Sequence, residues 1–62
     1  MQYILTDRPA GGESQRAFDA LDNAFGVEGF SGSEADKVLA ENGFNSSMFD
    51  SLIQGSYVAE DE

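Results

Sequence analysis

The side chains here that can do chemistry are carboxylates, hydroxyls and amides. Twelve Asp and Glu stand against three Lys and Arg, with no His and no Cys. Nucleophilic and general-base catalysis draw mostly on His and Cys, so acid–base work would fall to paired carboxylates. Such a pair needs a cleft that desolvates one partner, and a chain of 62 residues has little interior in which to build it. The composition points away from an enzyme. Structural zinc favours Cys and His ligands. A calcium loop needs acidic oxygens at alternating positions around a glycine, and Asp19, Asp22 and Glu28 lack that spacing. Gly26-x-x-Gly29 lacks the lysine and the preceding strand of a phosphate loop. Gly11-Gly12 is no phosphate loop either, and these glycines read as helix punctuation. Neither a metal nor a cofactor is expected.

The elements that hold these groups follow from periodicity and punctuation. Residues 2 to 6 are β-prone and run into Pro9, which ends a ladder. Residues 13 to 25 carry Phe18, Leu21 and Phe25 at helical steps, with Glu13 in the first turn and Gly26 as a left-handed cap. A second helix over 32–42 opens on Ser31-Gly32-Ser33-Glu34, a capping box, with Ser33 as a competing cap. Ala35, Val38 and Leu39 form its buried face. Gly43 ends it, and Phe44 folds back onto Leu39 as in a Schellman motif. Asn45 caps a third helix whose apolar face is Met48, Phe49, Leu52 and Ile53, with Gly55 as its stop. Residues 56 to 59 extend as a final strand, and 60–62 form a frayed acidic tail. The expected fold is α+β, mainly α, in the order β-α-α-α-β, one domain over residues 1–62. The two terminal strands pair, and Tyr3 and Tyr57 on them read either as a cross-strand aromatic pair or as marks of an exposed contact patch. The five Phe are core.

Charge bounds the partners. The formal net charge of −9 repels nucleic acid and anionic membrane at ordinary salt. It suits a basic protein partner or a high-salt cytoplasm, and it favours solubility. No stretch approaches the ~18 apolar residues of a membrane span. The first residues have neither the basic start nor the apolar length of a signal peptide. The expected location is cytoplasmic.

Residues 35 to 54 resemble a helix-turn-helix. Gly43 falls at the turn glycine, and Val38, Phe44, Phe49 and Leu52 fall where that motif places its core. Gly55-Ser56-Tyr57-Val58 looks like the turn into the wing of a winged-helix domain. Leu39 and Asn42 depart from the small and apolar residues usual at their positions. A winged helix also has a strand between its first two helices, for which only residues 27–30 are available, and two strands after the third. The Gly43-Phe44 step is similar, more loosely, to the loop of small ubiquitin-binding three-helix domains. The helix-turn-helix resemblance implies that the third helix is the recognition helix, with Ser46, Ser47, Asp50, Ser51 and Gln54 facing outward. The acid-rich composition resembles that of proteins from salt-loving archaea, where salt screens repulsion from DNA.

Three functional expectations result. The first is a non-enzymatic adaptor or regulatory module that binds a basic protein through Ser46, Ser47, Asp50, Ser51, Gln54 and Tyr57. The second is a halophile's DNA-binding regulator, acting as a homodimer on two half-sites. The third is an acidic DNA mimic, which requires carboxylates arrayed on one face.

Overall fold

Strand β1 (Gln2–Leu5) lies at the centre of a three-stranded sheet, flanked by β2 (Phe30–Ser31) and β3 (Val58–Glu60). Both neighbours are antiparallel to it: Gln2 pairs Ser31, Tyr3 pairs Phe30 and Glu60, Ile4 pairs Ala59, and Leu5 pairs Val58. The helices are α1 (Gly12–Phe25), α2 (Gly32–Glu41) and α3 (Met48–Gln54). The computed structural model describes residues 2–61. The architecture is α+β and mainly α, but the order is β-α-β-α-α-β. The expected order lacked β2, which is only two residues long and doubles as the entry to α2.

Helix boundaries follow the local chemistry. Gly26 takes a φ of 63° and donates its N–H to the carbonyl of Asp22 at 2.8 Å. Ser31 Oγ accepts from the Glu34 N–H at 3.1 Å, and Glu34 Oε1 accepts from the Ser31 N–H at 2.9 Å, completing the capping box. Ser31→Ala should therefore cost about 1 kcal/mol in a thermal or denaturant melt. After α2, Gly43 (φ 85°) donates to Ala40 O at 3.1 Å and Phe44 to Leu39 O at 2.9 Å. That is the Schellman pair the sequence predicts.

The core gathers Ala17, Leu21, Phe30, Ala35, Leu39, Met48, Phe49, Leu52 and Val58 between the sheet and the helices. Strand alternation sends Tyr3 and Leu5 inward against it and leaves Ile4 on the open face of the sheet. Phe25 stacks on Phe30 with centroids 4.8 Å apart, and Tyr3 meets Phe49 edge-on at 5.0 Å. The expected Tyr3–Tyr57 pair does not form. The register sets Tyr3 opposite Glu60, and Tyr57 precedes β3. Residues 60–62 were expected to fray, yet Glu60 closes β3 and the Asp61 N–H donates to Gln2 O at 2.8 Å. Glu62 lies outside the described residues.

Candidate interaction surface

Helix α3 is seven residues long and turns one face to the core. Met48, Phe49 and Leu52 are buried and Ile53 is half-buried. Helical geometry then points Ser47, Asp50, Ser51 and Gln54 the other way, at steps of three, one and three residues. All four are exposed, as is Ser46 in the preceding turn. That turn is held by Asn45, whose Oδ1 accepts from the Ser47 N–H at 3.2 Å and from the Ser47 hydroxyl at 2.7 Å. Asn45 thus organises the approach to α3, and the helix itself begins at Met48 rather than directly after Asn45.

The exit from α3 fixes Tyr57. Ser56 donates to Ile53 O at 3.0 Å and Tyr57 to Leu52 O at 3.0 Å, a second Schellman motif. Its left-handed residue is Ser56 (φ 65°), not Gly55. Gly55 has an ordinary φ of −81°, and its missing side chain leaves room for the Tyr57 ring: a Cβ there would lie 2.5 Å from Cε2 and would displace the ring. The Tyr57 ring therefore folds over the helix end and stays half-buried beside the exposed face of α3. Ser56→Gly should raise stability by about 0.5–1 kcal/mol, as relief of the left-handed penalty exceeds glycine's entropic cost. Urea melts of the two proteins measure this directly.

Electrostatically the surface is acidic and uncompensated. Asp50 is the charge on α3, and Glu60 and Asp61 follow on and after β3. The three basic residues lie elsewhere. Arg8 is committed to Asp19 through a two-pronged contact, Nε to Oδ1 and Nη2 to Oδ2, both at 3.0 Å. This pair clips the loop after β1 to α1. The hydrogen bond from Arg8 holds the Asp19 carboxyl below its ordinary value. The contact is complete above the usual carboxylate range and is lost as the pH falls through the lowered Asp19 value. Arg8→Ala should move the Asp19 titration upward, a change read by carboxyl-carbon NMR.

Two shallow clefts lie away from this surface. One, of about 350 Å³, is lined by Glu13, Arg16, Asn42, Gly43 and Phe44. The other, of about 300 Å³, is lined by Phe25, Glu34, Lys37, Val38 and Glu41. Both stand at the lower limit of ligand pockets. Val27 is fully exposed in the turn after α1. Among the described residues, no group of acidic side chains has the arrangement of a metal site, and no helix is long and apolar enough to cross a membrane.

Ser46, Ser47, Asp50, Ser51 and Gln54 are thus all exposed in and just before α3, and Tyr57 is half-buried against the core with its ring over the end of the helix. The sequence missed the left-handed Ser56, because a glycine one residue earlier is the commoner signal. The central place of β1 between β2 and β3 depends on a pairing order that no local pattern encodes. No protein-family model, curated protein or solved structure matches the chain.

Proposed function

We propose that this domain is a non-enzymatic protein-interaction module, an adaptor or regulator, that engages a basic partner through the outward face of α3 and Tyr57. The carrying observation is that face: exposed hydroxyl, amide and carboxylate groups beside an aromatic ring, with no cation on α3 or β3. Among the described residues no hydrogen bond engages the side chains of Ser46, Asp50, Ser51 or Gln54. They are free to meet a partner's donors. Tyr57 supplies rigid contact area of the kind enriched in interface hot spots. The acidic surround steers a positive surface into place and raises the association rate at low salt. A cytoplasmic setting belongs to this reading.

A DNA-binding regulator of a salt-loving organism is the second reading, favoured by one observation. Strand β2 lies between α1 and α2, where a winged helix also has a strand. Against it stand the seven-residue α3 and the lack of any Lys or Arg on it or in the turn before it to neutralise phosphate. The mimic reading needs duplex-like rows of carboxylates, whereas the acids are distributed over all three helices, β3 and the loops. The test is gel retardation of mixed-sequence duplex DNA at about 0.1 M and about 3 M KCl, spanning weak to near-complete screening. The interaction-module reading predicts no retarded band at either salt. A band at high salt that Gln54→Ala removes would transfer the assignment to DNA.

A further inference from the structure

Strand β3 is an edge of the sheet, and its register makes that edge complementary to itself. Antiparallel ladders alternate hydrogen-bonded and non-hydrogen-bonded pairs. Asp61 donates to Gln2 O at 2.8 Å and Thr6 to Tyr57 O at 2.9 Å, so residues 57, 59 and 61 turn their backbone groups toward β1. The N–H and C=O groups of Val58 and Glu60 therefore point to the open side. These two residues straddle Ala59 symmetrically. From this geometry we propose that two copies of the chain pair β3 to β3 in antiparallel fashion about a two-fold axis through Ala59, giving a six-stranded sheet.

In that register Val58 exchanges both backbone hydrogen bonds with Glu60 of the second copy, and the symmetric partner does the same. Ala59 meets Ala59 at the non-hydrogen-bonded position, where side chains approach most closely and a methyl group fits. Ile4 pairs with Ala59 on the open face of the sheet. The dimer thus joins the two Ile4–Ala59 rows into one uncharged stripe, in a protein acidic elsewhere. No carboxylate sits directly opposite another: Glu60 faces Val58, and Asp61 faces Tyr57. The two Glu60 side chains are only diagonal neighbours, roughly 7–8 Å apart. At low salt they protect the edge, as charged residues commonly do. At ~1 M salt the screening length falls to about 3 Å, and the edge becomes free to pair. The proposal goes beyond the α3 reading and is tested apart from it: Ser46, Ser47, Asp50, Ser51 and Gln54 take no part in the pairing, and of that surface only Tyr57 comes to lie at the seam, opposite Asp61.

The chain has no Cys, so single-cysteine variants report the axis cleanly. Ala59→Cys places two sulfurs at a Cα separation of about 4.5 Å, within disulfide range. Asn23→Cys, exposed on α1, is the control. Under air oxidation in about 3 M KCl, Ala59→Cys should form covalent dimer at least roughly tenfold faster than Asn23→Cys, as expected of a preassembled pair. In about 0.1 M KCl, where charges ~10 Å apart still interact, the advantage should shrink. Glu60→Pro removes an N–H that β1 does not use, so the monomer should keep its circular dichroism. In the Ala59→Cys background it should abolish the rate advantage. Equal rates for the two cysteine variants at high salt, or an advantage that survives Glu60→Pro, would overturn the proposal. Loss of the dimer with partner capture intact would leave the α3 reading standing.

Discussion

Phe30→Ala should remove about 3–5 kcal/mol, most of the stability of a domain this small. Phe30 is fully buried, stacks on Phe25, and meets Phe49 at a centroid distance of 6.3 Å. It is the residue where β2, α1 and α3 converge. Truncating a buried Phe costs about 3–5 kcal/mol through lost transfer energy and the cavity left behind. A domain of this length has roughly 3–9 kcal/mol in total. A denaturant melt followed by far-UV circular dichroism should show the midpoint falling by the equivalent of that cost, with the helical minimum lost already in buffer where the natural chain lies at the low end of its range. Phe25→Ala is the comparison, because Phe25 is only half-buried; it should lower the melting temperature and leave the fold intact. A folded Phe30→Ala protein destabilised by less than about 1 kcal/mol would mean that the core is not organised around that ring.

Salt should have the second large effect. Twelve acids and three bases share a body with a radius of gyration of 10.0 Å. Nearly all of that charge is exposed, and one ion pair, Arg8–Asp19, is present among the described residues. Like charges ~10 Å apart in water repel by about 0.4 kcal/mol each before screening. Many such pairs add up, and folding draws them closer together. Raising KCl from about 0.1 M to about 3 M should therefore stabilise the domain by about 1–3 kcal/mol. For a chain this size that corresponds to roughly 5–20 °C in melting temperature. A melting temperature flat across that range would show that unfolding relieves no repulsion, and the salt control proposed for the β3 edge would lose its basis.

Local chemistry was readable from sequence, and so was the pairing of the two terminal strands, now β1 and β3; the register of that pairing and the short β2 were not. The capping box at Ser31 and Glu34, the Schellman turn at Gly43 and Phe44, and the apolar face of α3 all depend on residues within five positions of each other. Each is a local rule, and each is observed. The outward set of α3 followed by subtraction once its buried face was known. Residues 27–30 offer a segment for a strand at the place of β2, but the two residues that form it carry no alternation, and its identity rests on pairing with β1 some 27 positions away, Tyr3 with Phe30. Of the two readings of Tyr57, the cross-strand pair depends on register for the same reason and is not observed, because the turn at Ser56 commits its ring to the space above Gly55. Glu60 looked like tail because its charge suggests solvent. In the structure only its backbone is needed to extend β3, and the side chain remains exposed.

On the proposed reading, the exposed face of α3 contacts a protein. Its most direct test is quantitative affinity capture with two baits, the natural chain and Asp50→Arg/Gln54→Arg, at the ionic strength of the source cell. Both substitutions fall on exposed positions, so the baits should have matching circular dichroism and melting behaviour. The account predicts a protein, basic in composition, recovered by the natural chain and reduced at least about tenfold on the variant, as expected when contacts at an interface centre are replaced by repulsion. The same proteins recovered equally on both baits, or none on either, would contradict it.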